Sequence, residues 1–159
     1  MLHERTEVRV TPEQALISFF ENQIAYNKHL SMQVTELSPG RCQIVVPFQD
    51  HLIGDPFRPA LHGGVLSALA DAAGGLAVFS QLDYLKSRVS TIDLRVDYLR
   101  PGKAEDITCD AHVVRAGNKV AVTNMELWQG EPNHLVADCR AVYNVVHKEI
   151  SPGHSRSAG

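Results

Sequence analysis

The sequence predicts an α+β domain: an antiparallel sheet of about five to six strands wrapped around a long central helix, with an extra N-terminal helix. Three observations carry this. Residues 62–80, HGGVLSALADAAGGLAVFS, are almost wholly apolar or small and hold one charge, Asp71; a run of 19 residues is too long for a typical strand and fits a buried helix. Segments of period-two alternation flank that run, two before it and four after it. An element apolar on all faces needs a cover, and only a sheet wrapping it supplies one.

The elements follow in chain order. Thr11-Pro12-Glu13-Gln14 has a capping threonine, a proline at the first helical position, then acidic and amide residues. Leu16, Phe19, Phe20 and Ile24 recur at helical spacing, so the helix runs over about residues 12–28. Met32 and Val34, the turn Ser38-Pro39-Gly40, then Cys42, Ile44 and Val46 form a hairpin. After the apolar helix, Thr91-Ile92-Asp93-Leu94-Arg95-Val96-Asp97-Tyr98 alternates strictly, a strand with one wet face, and Arg100-Pro101-Gly102 ends it. Residues 105–115, 118–129 and 134–147 repeat the pattern, separated by Ala116-Gly117-Asn118 and Gly130-Glu131-Pro132-Asn133. We expect a flexible N-terminus over residues 1–10, one domain over 11–148 and a flexible tail over 149–159.

Bulk properties exclude several classes. The chain has 159 residues, 44% hydrophobic and 21% charged, with a net charge of −3, which gives no electrostatic footing for nucleic acid. No apolar run reaches the ~20 residues that span a bilayer, and MLHERTEVRV lacks the apolar stretch of a secretory signal. Cys42, Cys109 and Cys139 are odd in number and far apart, as expected of reduced thiols in a cytoplasmic protein.

Asp71 stands among Leu69, Ala70, Ala72, Ala73, Leu76 and Ala77. Burying a lone carboxylate costs several kcal/mol, so either a function or a structural partner must compensate it. At the start of the same helix, His62-Gly63-Gly64 leaves backbone N–H groups bare at the positive end of the helix dipole, a setting suited to a developing oxyanion; a glycine turn needed only for packing is the plainer alternative. Gly63 and Asp71 are eight residues apart, about 12 Å along a helix. An oxyanion donor and an attacking group must serve one carbonyl. One chain therefore cannot build the site, and two antiparallel helices related by a twofold axis can, which predicts a homodimer with shared active sites.

The stretch LHGGVLSALADAAGGLA, residues 61–77, resembles the HGG-x6-D signature of the hotdog-fold thioesterase superfamily, in particular the acyl-CoA thioesterases of the phenylacetate-pathway kind. The strand order over about residues 30–147 is similar too. The resemblance implies a hotdog fold and hydrolysis of an acyl- or aryl-CoA thioester to free acid and CoA. It implies Asp71 as nucleophile or general base, Gly63 as the amide that polarises the carbonyl, His62 beside it, and Thr91 as a hydroxyl that helps hold the water. Relatives carry an asparagine in a short loop before HGG. Here the loop, Asp50 to Ala60, is longer and has none, so His51, Asp55 or Arg58 would take over that role.

Gly64 is a further substrate-binding candidate, and Arg100, Arg115 and Lys119 are candidates for the CoA phosphates, with solvated surface cations as the plainer reading. The acyl chain would enter between two helices, with Gly74 and Gly75 leaving room for it or for the sheet. No metal or redox cofactor is implied; CoA enters as part of the substrate, and neither nucleic acid nor membrane is an expected partner. Paired strand edges would permit a tetramer. A hydroxyacyl dehydratase would place its acid at Leu69, about 200° around the helix from Asp71. A non-catalytic acyl-CoA-binding or regulatory module on the same fold is the remaining alternative.

Overall fold

In the computed structural model residues 10–148 are described; the expected tail and all but the last residue of the expected flexible N-terminus lie outside them. A six-stranded antiparallel sheet carries the domain: β1 (Gln33–Ser38), β2 (Arg41–Val46), β5 (Ser87–Tyr98), β6 (Ile107–Ala116), β7 (Val120–Trp128) and β8 (Leu135–His147), in the order β1-β2-β6-β7-β8-β5. Between β2 and the main helix, β3 (Ile53–Asp55) and β4 (Ala60–Leu61) pair as a small separate ladder within what reads in sequence as a loop. The hotdog architecture expected from the sequence is present, with helix α3 (Gly63–Phe79) lying across one sheet face.

Alternation decides which side chains meet α3. Ile44 and Val46 of β2, Ile107 and Cys109 of β6, Met125 and Leu127 of β7 and Ala137 and Ala141 of β8 are buried with Leu66, Leu69, Ala70, Ala73, Leu76 and Ala77 of the helix in one cluster. The sheet covers only part of α3, however. Gly64 is exposed, and Ser67, Ala68, Asp71, Ala72, Gly75 and Phe79 are half-buried, at spacings of three and four that mark one stripe. The expectation that the sheet alone covers the helix is corrected in that respect: this stripe lies toward the outer strand β5 and stays partly open.

The N-terminal helix begins as expected. Thr11 Oγ1 accepts from Gln14 N at 3.1 Å and Gln14 Oε1 accepts from Thr11 N at 2.9 Å, a reciprocal capping box. It does not run to residue 28. α1 spans Pro12–Asn22, Ile24 is extended, and a short α2 spans Ala25–His29. Packing makes this break, since no glycine or proline lies there: buried Asn27 Nδ2 donates to Phe20 O at 3.1 Å, and Val34 N donates to Glu21 Oε1 at 2.7 Å, tying the elbow to β1. The β1–β2 turn uses Gly40 at φ +77, a left-handed conformation that favours glycine.

β5 starts at Ser87, four residues before the expected Thr91, and its pairing with β8 shifts between Thr91 and Asp93. The unbroken 92/94/96/98 alternation hides this bulge. Thr91 pairs with inward-facing Tyr143, and Leu94 pairs with Ala141, so both face α3, whereas Ile92 sits in the bulge and is 59% exposed.

Candidate active site

Asp71 lies on the open stripe of α3, and Thr91 reaches it from the bulge of β5: Thr91 Oγ1 donates to Asp71 Oδ1 at 2.6 Å. The bulge matters here. It lets residue 91 face the helix while the parity of the rest of the strand is set by Leu94 and Val96. Asp71 is half-buried, not sealed in the core, so the desolvation cost expected from sequence is reduced by an opening beside it. That opening is a cavity of about 330 Å³ whose lining includes Asp71, Thr91, Gly75, Phe79, Phe20 and Ile24.

The backbone of Asp71 is held as well. Tyr143 Oη donates to Asp71 O at 2.7 Å, and burial, with the Asp71 charge second, pushes the Tyr143 hydroxyl well above its ordinary pKa, so it stays a donor. Tyr143 reaches the helix because Gly74 has no side chain: a Cβ there would meet Tyr143 Oη, and Thr123 Oγ1 at 2.8 Å. The two glycines therefore divide the roles expected of them jointly. Gly74 admits the sheet, and Gly75 lines the cavity.

At the start of α3, His62 is the N-cap, and its Nδ1 accepts from Gly64 N at 2.9 Å. The Gly64 amide is thereby engaged, while Gly63 N–H finds no acceptor among the described residues. Tyr98 Oη donates to Gly63 O at 3.0 Å and lies 2.6 Å from Ser67 Oγ, fixing the first turn from the end of β5. α3 is unbroken from Gly63 to Phe79, so Gly63 and Asp71 of one chain stay about 12 Å apart along the axis.

The loop residues turn inward on themselves. Asp55 Oδ1 accepts from Phe57 N at 2.9 Å and Arg58 N at 3.2 Å, which holds its carboxyl below the usual range, and Arg58 Nε lies 3.6 Å from Asp55 Oδ2. His51 is exposed, with its ring 5.5 Å from that of His29. The candidate phosphate anchors separate. Arg100 follows β5 at the Gly63 end, with Nη1 3.2 Å from His134 Nδ1, whereas Arg115 and Lys119 belong to the β6–β7 hairpin at the other end of the sheet. Among the described residues no His, Cys, Asp and Glu side chains are grouped to hold a metal, and no helix is long and apolar enough to cross a membrane.

Sequence reading missed Tyr143, Tyr98 and Ser67. The signal for Tyr143 is its position on the inward parity of β8, level with the small residues of α3; for Tyr98 and Ser67 nothing before the β5 register gives one.

Residues 59–136 match the Thioesterase superfamily. The medium/long-chain acyl-CoA thioesterase YigI of Escherichia coli K12 is 35% identical over 151 residues, covering 86% of this chain and 97% of YigI. A putative esterase of Halobacterium salinarum is 36% identical over 115 residues, covering 71% and 76% of the two chains. A Shewanella oneidensis protein related to the thioesterase superfamily superposes with a TM-score of 0.74 at 28% identity, covering 82% of this chain and 93% of that one.

Proposed function

Because the chain belongs to the thioesterase superfamily and is thus a thioester hydrolase, we propose that it cleaves an acyl-CoA to free acid and CoA at a site shared by two copies. The observation that carries this reading is the Thr91–Asp71 hydrogen bond of 2.6 Å at the wall of a largely apolar cavity. With Oδ1 occupied by Thr91, the other carboxylate oxygen is free to take a proton from water or to attack the carbonyl itself. In the first course, the water oxygen adds to the thioester carbon and its proton passes to Asp71. The carbonyl oxygen becomes an oxyanion, and collapse breaks the C–S bond and releases CoA thiolate, which takes up a proton. Thr91 Oγ1 retains lone pairs that accept a hydrogen bond from the water while its own hydroxyl proton, still bonded to Oγ1, is donated to Asp71 Oδ1.

The oxyanion needs a donor that Asp71's own helix cannot place. Gly63 N–H of a second copy supplies it when the two α3 helices run antiparallel. β5 supports that pairing: it is the longer of the two edge strands of the sheet, with 12 residues, Ile92 59% and Tyr98 54% exposed. A free edge of that length is a template for its own copy, and antiparallel β5–β5 pairing lays the two helices side by side about a twofold axis. The Arg115 and Lys119 end of one copy then falls level with Arg100 of the other, bringing cations from both chains toward one CoA.

The test is Asp71→Asn assayed by thiol release on a panel of acyl-CoAs, with the oligomeric state measured in parallel. We expect a loss of about 10²–10⁴-fold in kcat and a dimer for both proteins. A variant that keeps wild-type turnover, or a wild-type enzyme active as a monomer, overturns the assignment.

A further inference from the structure

Resting on the acyl-CoA reading above, we propose that the α1–α2 elbow is the acyl-chain gauge of the enzyme, with Phe20 and Ile24 closing the pocket to straight chains beyond about ten to twelve carbons. The match to the superfamily spans residues 59–136, so the elbow lies outside it, yet Phe20, Ile24, Tyr26 and Asn27 all line the cavity that contains Asp71 and Thr91. The reacting acid thus lies within the stretch that matches the superfamily, and the elbow that lines the same cavity precedes that stretch.

The wall is built to be stiff. The helical pattern would carry Ile24 onward in α1, but the chain breaks there and Ile24 takes an extended backbone with φ −86 and ψ 104. Side-chain bonds from Asn27 to Phe20 O and from Val34 N to Glu21 join the elbow to itself and to the sheet. Asn27 is the buried polar residue of this wall, and its amide nitrogen is committed to Phe20 O, which leaves a mainly apolar surface. Leu76, Phe79, Val89 and Gly75 line the same cavity as the elbow.

Size sets the substrate. A volume of about 330 Å³, at roughly 30 Å³ for each water-sized group, holds about eleven such groups, and a methylene is about that size. An unbranched aliphatic chain of about that many carbons starting at Asp71 would fill the cavity that Ile24 helps to line. Removing three carbons at Ile24 should admit about two more methylenes; placing an indole there should exclude about three.

The experiment measures kcat/KM for saturated acyl-CoAs from four to sixteen carbons with the wild type, Ile24→Ala and Ile24→Trp, folding being checked by circular dichroism. Each methylene left outside costs about fourfold. Ile24→Trp should therefore lower the ratio of dodecanoyl to butanoyl kcat/KM by roughly 50-fold, and Ile24→Ala should move the optimum about two carbons longer. An optimum in the wild type outside the medium range, or a profile that neither variant shifts, overturns the gauge while leaving hydrolysis intact. If the wild type releases no thiol from any acyl-CoA, the thioesterase reading itself falls. Should Ile24→Trp not fold, the Ile24→Ala shift alone decides.

Discussion

Gly74 and Gly75 are adjacent in one helix and share a helix propensity, yet alanine at the two positions should change stability in opposite directions. At Gly74 a Cβ would meet Tyr143 Oη, Thr123 Oγ1 at 2.8 Å and Met125 Sδ at 3.0 Å, three atoms on buried strands that cannot all withdraw. Overpacking of this kind costs about 1–3 kcal/mol, and displacing Tyr143 forfeits its hydrogen bond to Asp71 O, about 1 kcal/mol more. The gain from replacing a helix glycine is about 1 kcal/mol, so Gly74→Ala should be net destabilising by about 1–3 kcal/mol. At Gly75 the nearest atom, Tyr143 Cε1, is 3.6 Å from the new Cβ, an ordinary contact. There the gain of about 1 kcal/mol stands nearly alone. Thermal unfolding at one fixed protein concentration reads both, at roughly 2–4 °C per kcal/mol for a domain of this size. Gly74→Ala should melt about 5 °C lower and Gly75→Ala about 3 °C higher. Equal shifts, or a stabilised Gly74→Ala, would refute the claim that Tyr143 passes under the helix at residue 74.

Thr91→Val keeps the side-chain shape and removes the donor to Asp71 Oδ1; kcat on the best acyl-CoA should fall about 10- to 100-fold, and an unchanged kcat would detach the hydroxyl from the chemistry. Burial pushes the Cys42 and Cys139 thiols up to about 12, and burial raises the Cys109 thiol well above its ordinary value too. At pH 8 the native protein should therefore show no fast reaction with a disulfide reagent, and three thiols should react once urea unfolds it. Because folding raises these values, the stabilisation from the buried thiols is complete below the unfolded pKa of about 8.5 and declines as pH climbs toward 12. Fast labelling of the native enzyme would contradict that burial.

The apolar run of α3 and the alternation of β6–β8 were readable because composition alone sets them: a nearly uncharged run of 19 residues has few other solutions. Asp71 was legible for the same reason, as the lone charge in that run. The break at Ile24 was not, because it is imposed by Asn27 and Glu21 reaching across space, without a local breaker. The bulge at Ile92 hid behind an apolar alternation that continues through it, and with it went the correct facing of Thr91 and Val89. Tyr143 and Tyr98 look like any strand tyrosine until the register says which face they occupy. His51, Asp55 and Arg58 stand in the loop where relatives carry an asparagine; Asp55 and Arg58 partner each other and the intervening backbone, and the His51 ring lies near that of His29.

The position of β5 bears on how the chain acquires its shape. It precedes β6, β7 and β8 in sequence but lies beyond β8 in the sheet, so its hydrogen-bonding partner is the last of the described strands to leave the ribosome. Until then a 12-residue segment has both edges bare, and contacts of such long sequence separation form slowly. Newly made chains therefore pass through an interval in which β5 can pair with a neighbour's unfinished copy as readily as with its own β8. Low temperature or low expression, which favour completion of one chain before it meets another, should raise the yield of correctly assembled protein.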